Sequence, residues 1–138
     1  MDVEYIIVHG TFTPAHMDVS VGDLERWHVK ENGWSKVGYH RLINRGGRVE
    51  SILPLDEPGI HAAGFNNQSV GIALAGGQSK FNGEAVWDFN YTPYQMAVLT
   101  RELIALKAFF PNAEVVGHRD VDDRRCPGFE VKELAKCL

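Results

Sequence analysis

The organisation of this chain follows from one stretch, Val116-Gly117-His118-Arg119-Asp120-Val121-Asp122-Asp123-Arg124-Arg125-Cys126-Pro127-Gly128-Phe129. It places a histidine and a cysteine eight positions apart in a turn-rich segment that follows an apolar run, with two arginines directly before the cysteine. Imidazole and thiolate are borderline or soft metal ligands, and zinc is the divalent ion that most often takes both together. Because two ligands do not hold a catalytic zinc, a third has to come from elsewhere in the chain.

A third ligand is available at the other end of the sequence. Tyr5-Ile6-Ile7-Val8 has the composition of a short buried strand and delivers His9 at its carboxyl end, as the apolar run from Glu114 to Val116 delivers His118. If these strands are parallel neighbours, the two imidazoles meet at one edge of the sheet, and Cys126 returns to the same edge after a tight loop. Three protein ligands with one open position is the form of a catalytic zinc site.

The pattern alone leaves simpler interpretations open. A histidine and a cysteine at this spacing are not a specific motif, and a lone cysteine in a small protein is usually an inert core residue. Histidines at the start of loops are also commonly satisfied by backbone carbonyl groups.

Composition indicates an ordinary globular protein. The 138 residues fit one domain spanning 1–138, and 44% hydrophobic and 23% charged residues suit a domain with its own core. A net charge of −4 gives no general attraction to nucleic acid or to anionic membranes. The acidic start lacks the basic region of a signal peptide, and no apolar run is long enough for a membrane span, so we expect a cytoplasmic protein.

The remaining pattern predicts an α/β fold, a single domain with a central mixed sheet of about five strands flanked by helices, and the zinc site at one edge of the sheet. Turn residues between two short runs predict a hairpin, and two capping sequences predict helix starts. The predicted elements are a helix from Ser20 to about Asn32, strands around Leu42 and Val49–Ile52, a strand at Ser69–Ala75, a long helix after Thr92, and a short helix at Glu130–Lys136. We expect loops at Thr11–Val19, Pro54–Gln68 and Gln78–Tyr91. Strand alternation would place Tyr39 with Ile43 on one face and His40 with Leu42 on the other.

Several ordered motifs resemble the type 2 N-acetylmuramoyl-L-alanine amidases, which share their fold with animal peptidoglycan recognition proteins. Within that family the nearest resemblance is to the lysozymes of T7-like phages. The resemblance runs from about Tyr5 to Phe129 and is carried by Val8-His9-Gly10-Thr11, Trp27-His28, Gly33-Trp34-Ser35-Lys36-Val37-Gly38-Tyr39-His40, His61-Ala62-Ala63-Gly64-Phe65-Asn66, Ser69-Val70-Gly71-Ile72 and the opening stretch from Gly117 to Phe129.

The resemblance implies roles for single residues. His9, His118 and Cys126 become the ligands of one Zn²⁺ per chain, and Tyr39 becomes the residue that hydrogen-bonds near the metal and the attacked carbonyl. The phage relatives have a lysine two positions before the cysteine ligand, where this chain has Arg124. Arginine can stabilise an oxyanion but cannot exchange a proton as lysine can, so only the first role carries over. Substrate contacts are expected from His61, Asn66 and Arg125.

The implied reaction is hydrolysis of the amide between N-acetylmuramic acid and L-alanine in peptidoglycan. The implied biology is a monomeric phage endolysin that waits in the host cytoplasm and reaches the wall through a membrane lesion. Two other classes of function remain as alternatives: a non-catalytic peptidoglycan-binding module, against which Cys126 and Tyr39 together argue, and an interaction protein, because a phage relative also inhibits the phage RNA polymerase.

Overall fold

The computed structural model describes residues 1–138 and has a five-stranded sheet as its centre. In chain order the elements are β1 (Tyr5–Gly10), β2 (Thr13–Pro14), α1 (Val21–Leu24), β3 (Arg41–Ile43), β4 (Val49–Ser51), β5 (Ser69–Leu74), β6 (Gly77–Phe81), β7 (Glu84–Trp87), α2 (Pro93–Phe109), β8 (Glu114–Gly117) and α3 (Val131–Ala135). The sheet has the order β4-β3-β5-β1-β8, with only the edge strand β4 antiparallel to its neighbour. The expected mixed sheet of five strands with flanking helices is therefore confirmed.

The long helix α2 covers one face of this sheet. It begins with a capping box, in which the Thr92 side chain accepts from the backbone N–H of Gln95 and the Gln95 side chain accepts from that of Thr92. Its apolar side chains pack with those that alternate along the strands: Ile6, Val8, Val70, Ile72, Leu74, Val98, Leu99, Leu103 and Leu106. Burying each large aliphatic side chain contributes about 1.5–3 kcal/mol, so this layer fixes where the sheet lies.

The opposite face is covered by α1 and by the loop before β5. Ser20 and Asp23 form the expected capping box, and α1 then widens into a π-helical segment at Glu25–Glu31. Strand alternation sends Ile7 and His9 to this second face, where Ile7 packs with Ala62 and Val116. The polar group at the end of β1 therefore faces away from α2, toward the loop that carries His61.

A second sheet corrects the expectation of loops at 11–19 and 78–91. Strands β2, β6 and β7 form a small three-stranded sheet, in which β6 and β7 make an antiparallel hairpin. Its turn is Asn82-Gly83, with positive φ at both residues (51° and 79°), the pair that a two-residue hairpin favours. The strands were missed because they are short and lack a regular alternation of apolar and polar residues, by which strands are recognised.

The segment before β3 corrects the expected alternation. Tyr39 packs against the cluster that contains Leu42, whereas Ile43 belongs to the α2 layer. The regular strand begins only at Arg41, and the backbone before it also bonds to the next loop, where the Ile60 N–H donates to the Gly38 carbonyl at 2.9 Å. Alternation holds from Arg41 onward and does not extend back to Tyr39.

None of the helices combines the length and the apolar character that crossing a membrane requires.

Candidate metal centre and active-site cleft

Three buried side chains meet where β1 and β8 end. The strands are parallel neighbours with Val8 opposite Gly117, so His9 and His118 follow at the same level of the sheet. Their ring centroids are 4.6 Å apart, and one donor atom from each histidine and the Cys126 sulfur lie within 4.8 Å of one another. The two strand ends and the cysteine therefore meet at one edge of the sheet, as expected.

The cysteine loop is tied to β1 and to the residue after His118. The Gly10 N–H donates to the Cys126 Sγ at 3.3 Å, and the Arg119 N–H donates to the Cys126 carbonyl at 2.7 Å. The loop from 119 to 126 is thus closed by backbone groups, which hold the sulfur beside the two imidazoles.

The electrostatics of the cluster favour neutral side chains in the absence of a metal. Burial lowers the pKa of His9 well below its ordinary value, with His61 and His118 adding to the shift. Burial also lowers the pKa of His118 to about 4, and it raises the pKa of the Cys126 thiol to about 12 despite the opposing effect of the Gly10 N–H. Neutral imidazoles carry the lone pairs that a metal binds, and the thiol would release its proton on coordination.

The donor set fits a zinc ion. Two imidazoles and one thiol are the ligand types that zinc accepts, and three ligands leave a coordination position open. The Nε2 of His118 is a buried nitrogen without a hydrogen-bond partner, with Asp122 Oδ2 at 3.6 Å. Buried polar atoms are rarely left unpaired, so this nitrogen marks a position at which a ligand is expected.

Tyr39 lies at the same end of the cleft. Its ring centroid is 5.1 Å from that of His9 and 5.3 Å from that of His28. Burial raises the pKa of Tyr39 far above its ordinary value, so the hydroxyl stays protonated near neutral pH and can only donate to a developing negative charge.

The structure distinguishes the two arginines. Arg124 lines the cleft, and its Nε donates to Asp122 Oδ2 at 2.9 Å, whereas Arg125 does not line the cleft. Asp122 thereby stands between Arg124 and His118, a bridging position that the sequence reasoning missed. The segment that joins the two residues is only a short 3-10 turn at His118–Asp120, so no regular helical spacing in the sequence indicated this contact.

His61 and Asn66 line the cleft from the loop before β5. The Oδ1 of Asn66 accepts from the backbone N–H groups of His61 and Ala62, each at 2.9 Å, and so fixes the loop. The His61 ring is buried and lies with its Nδ1 2.8 Å from His9 Nε2. Burial lowers the pKa of His61 to about 3.

The cleft itself has a volume of about 550 Å³. Aromatic and apolar side chains form its walls above the ligand cluster, a lining typical of a ligand-binding cleft. None of them was singled out as a site residue in the sequence analysis; the wall residues are Phe12, Trp34, Ile60 and Trp87.

Comparison with known proteins identifies the family. The family model for N-acetylmuramoyl-L-alanine amidase matches residues 1–129. The endolysin of Enterobacteria phage K11 is 40% identical over 136 residues, covering 98% of this chain and 87% of its own length. The endolysin of Escherichia phage T7 is 38% identical over 127 residues, covering 92% and 82% respectively.

Solved structures agree with this result. N-acetylmuramoyl-L-alanine amidase LysC from Clostridium intestinale has a TM-score of 0.81 and 28% identity, covering 99% of this chain and 85% of its own. Structures of peptidoglycan recognition proteins share the fold as well. The chain therefore belongs to the N-acetylmuramoyl-L-alanine amidase family. Within that family it resembles the T7-like phage endolysins, and it is a peptidoglycan amidase, as the motifs implied.

Proposed function

We propose that this amidase works with one zinc ion per chain, held by His9, His118 and Cys126 at the base of the cleft. The observation that supports the proposal is the convergence of three buried donors below an open cleft, one of them with an unpaired nitrogen. The family is generally zinc-dependent, and no other group of histidines, cysteines and carboxylates in the chain has this geometry.

The reaction is hydrolysis of the amide between the lactyl group of N-acetylmuramic acid and L-alanine. A zinc ion at this position would polarise the scissile carbonyl and make water available as a nucleophile near neutral pH. The side chains of the cleft then have to bind the substrate, stabilise the oxyanion and keep the metal ligands in place.

Tyr39 and Arg124 are our candidates for oxyanion stabilisation. The protonated Tyr39 hydroxyl can donate to the carbonyl oxygen as it becomes negative, and one such preorganised donor is typically worth about 3 kcal/mol. Arg124 adds a positive charge at the cleft wall, held in place by Asp122. The Asn66 side chain and the aromatic walls would contact the muramyl peptide, with Arg125 further out.

The biological role that fits is phage-induced lysis of the host cell, since the relatives near 40% identity are endolysins. We propose that the protein acts as a monomer, is made in the host cytoplasm and reaches the wall through a membrane lesion. The complete ligand set and Tyr39 favour catalysis over wall binding alone, and nothing in the fold favours an RNA polymerase contact.

The test is to incubate purified protein with peptidoglycan and measure newly exposed N-terminal L-alanine. We expect release by zinc-loaded protein, loss of release after treatment with a chelator, and recovery when zinc is added back. Metal analysis should give one zinc per chain. Intact wall binding without release by the zinc-loaded protein would overturn the enzymatic proposal, and full activity of a verified zinc-free protein would overturn the metal assignment.

A further inference from the structure

A continuous chain of hydrogen bonds links His9 through His61 and Ser69 to the backbone of the loop before β5. His9 Nε2 lies 2.8 Å from His61 Nδ1, and His61 Nε2 lies 3.2 Å from Ser69 Oγ. The Ser69 hydroxyl in turn donates to the Phe65 carbonyl at 2.7 Å. Both ring nitrogens of His61 are therefore occupied within the protein, which leaves neither for the substrate contact expected from the sequence.

The Ser69 end of this hydrogen-bonded series determines which ring nitrogen of each histidine carries the proton. The Ser69 hydroxyl has one hydrogen, which goes to the Phe65 carbonyl, so its oxygen has to accept from His61 Nε2–H. His61 Nδ1 then carries the lone pair and accepts from His9 Nε2–H. The remaining lone pair of His9 is on Nδ1.

The place of the His61 ring is also fixed by shape. A Cβ added at Gly71 would lie 2.6 Å from both Cγ and Nδ1 of His61, closer than side-chain atoms approach one another. Strand β5 therefore has a glycine where the imidazole rests against its backbone. On the loop side, the backbone N–H of His61 is anchored by Asn66.

We infer that His61, held by Ser69 and Gly71, is a positioning residue that fixes the tautomer and the orientation of His9 so that Nδ1 is presented to the zinc ion. This inference rests on the zinc site proposed above. Partners that hold a ligand histidine by its second ring nitrogen commonly change metal affinity by about 10–100-fold when they are removed.

The first experiment reads the tautomers directly. In metal-free wild-type protein, long-range proton–nitrogen NMR spectra of the histidine rings should show both His9 and His61 protonated at Nε2. In the Ser69→Ala variant the His61 ring loses the oxygen that accepts from Nε2–H, so we expect its tautomer to become mixed. A His9 ring protonated at Nδ1, or a His61 ring protonated at Nδ1, in the wild-type protein would overturn the inference.

The second experiment measures zinc affinity against a competing chelator. We expect His61→Ala to weaken zinc binding by about 10–100-fold. His61→Asn should restore affinity to within about threefold of wild type, because its Oδ1 occupies the position of Nδ1 and accepts from His9. Gly71→Ala should also weaken binding, since it displaces the ring without removing any polar group.

The matched control is His40→Asn. His40 is fully buried beside His61, donates from Nε2 to the Glu57 carbonyl and accepts at Nδ1 from the Gly71 N–H, but has no bond to His9. Asparagine keeps the acceptor for Gly71, so this variant should lose thermal stability and keep wild-type zinc affinity.

The outcomes separate this inference from the zinc proposal. If wild-type protein binds no zinc, the metal site fails, while the tautomers in metal-free protein still test the hydrogen-bond chain. If wild type binds zinc and folded His61→Ala binds it equally well, the positioning role is wrong although the site stands. Equal losses of affinity in His61→Asn and His61→Ala would also contradict it.

Discussion

Two groups of buried or partly buried polar side chains lie at the base of the cleft and behind it, and they differ in where their polar atoms are directed. The cleft group consists of His9, His118, Cys126 and Tyr39, which present a ring nitrogen, a sulfur or a hydroxyl to the cleft. The support group consists of His28, His40, His61 and Tyr91, which bond to other parts of the protein.

The difference shows that burial alone does not identify a functional residue. Burial lowers the pKa of the histidines in both groups and raises that of both tyrosines, so a perturbed pKa does not separate them. What separates them is the partner. A buried polar atom that is already paired stabilises the fold, whereas one directed into a cleft is available to a metal or a substrate.

The largest expected contrast is between the two cysteines. Cys126 is buried in the cleft group and Cys137 is an exposed free thiol, so Cys126→Ala removes a ligand while Cys137→Ala removes none. We expect Cys126→Ala to lose bound zinc and to lower peptidoglycan amidase activity by at least about 10³-fold, because the metal supplies several kcal/mol of transition-state stabilisation. Metal analysis and the L-alanine assay on both variants test this. Zinc retained by Cys126→Ala at full activity would break the assignment.

The two tyrosines, Tyr39 partly buried at the cleft and Tyr91 buried, provide the next contrast. Removing the hydroxyl in Tyr39→Phe should lower kcat by about 10²–10³-fold with little change in stability or zinc affinity, as expected for one oxyanion donor. In Tyr91→Phe the hydroxyl that donates to the Pro127 carbonyl at 2.6 Å is lost. That change should cost about 1–3 kcal/mol of unfolding free energy with kcat within a few-fold of wild type. Steady-state kinetics and denaturant unfolding distinguish the two; a reversed pattern would exchange the proposed roles.

The two arginines give a smaller contrast. The Arg124 side chain is 55% exposed, so water screens its charge and its contribution should fall below that of a buried donor. We expect Arg124→Ala to lower kcat/KM by about tenfold, and Arg125→Ala, outside the cleft, to change it less than twofold. Equal effects of the two substitutions in the same assay would remove the special position given to Arg124.

The sequence was sufficient where the signal is local. Both capping boxes, the hairpin of β3 and β4, and the strands that end at His9 and His118 follow from residues within a few positions of each other. The meeting of the two histidines followed from one further assumption, that the two strands are parallel neighbours, and the placement of Cys126 followed from the tight loop that returns it to the same edge.

The sequence was insufficient where tertiary packing decides. The hydrogen-bond partners of His61 are determined by a loop that turns back on β5. No sequence periodicity predicts a bond between His61 and His9, which are 52 positions apart. The direction of Arg124 depends on Asp122 and the folded loop. Only the small second sheet had an overlooked local signal, the Asn82-Gly83 turn.

The smallest prediction tests whether the support group contributes stability by staying neutral. His28 accepts at Nδ1 from the Gly38 N–H at 3.0 Å, and burial lowers its pKa below the ordinary value near 6.5. As pH falls below about 6.5, the unfolded chain binds a proton that folded His28 resists, so the unfolded state gains stability. The stability due to neutral His28 is therefore present at pH 7 and lost toward the lowered folded pKa.

His28→Asn keeps the acceptor for Gly38 and removes the titrating ring, so it should flatten the fall in unfolding free energy between pH 7 and pH 5. The difference in slope is at most about 1.4 kcal/mol per pH unit, the value for one proton. Denaturant unfolding of chelator-treated wild type and variant at several pH values measures it, and the other histidines cancel because both proteins contain them. Parallel curves would mean that His28 titrates alike in the folded and unfolded states. Its contribution to stability would then come from its hydrogen bond to Gly38 and not from its neutrality.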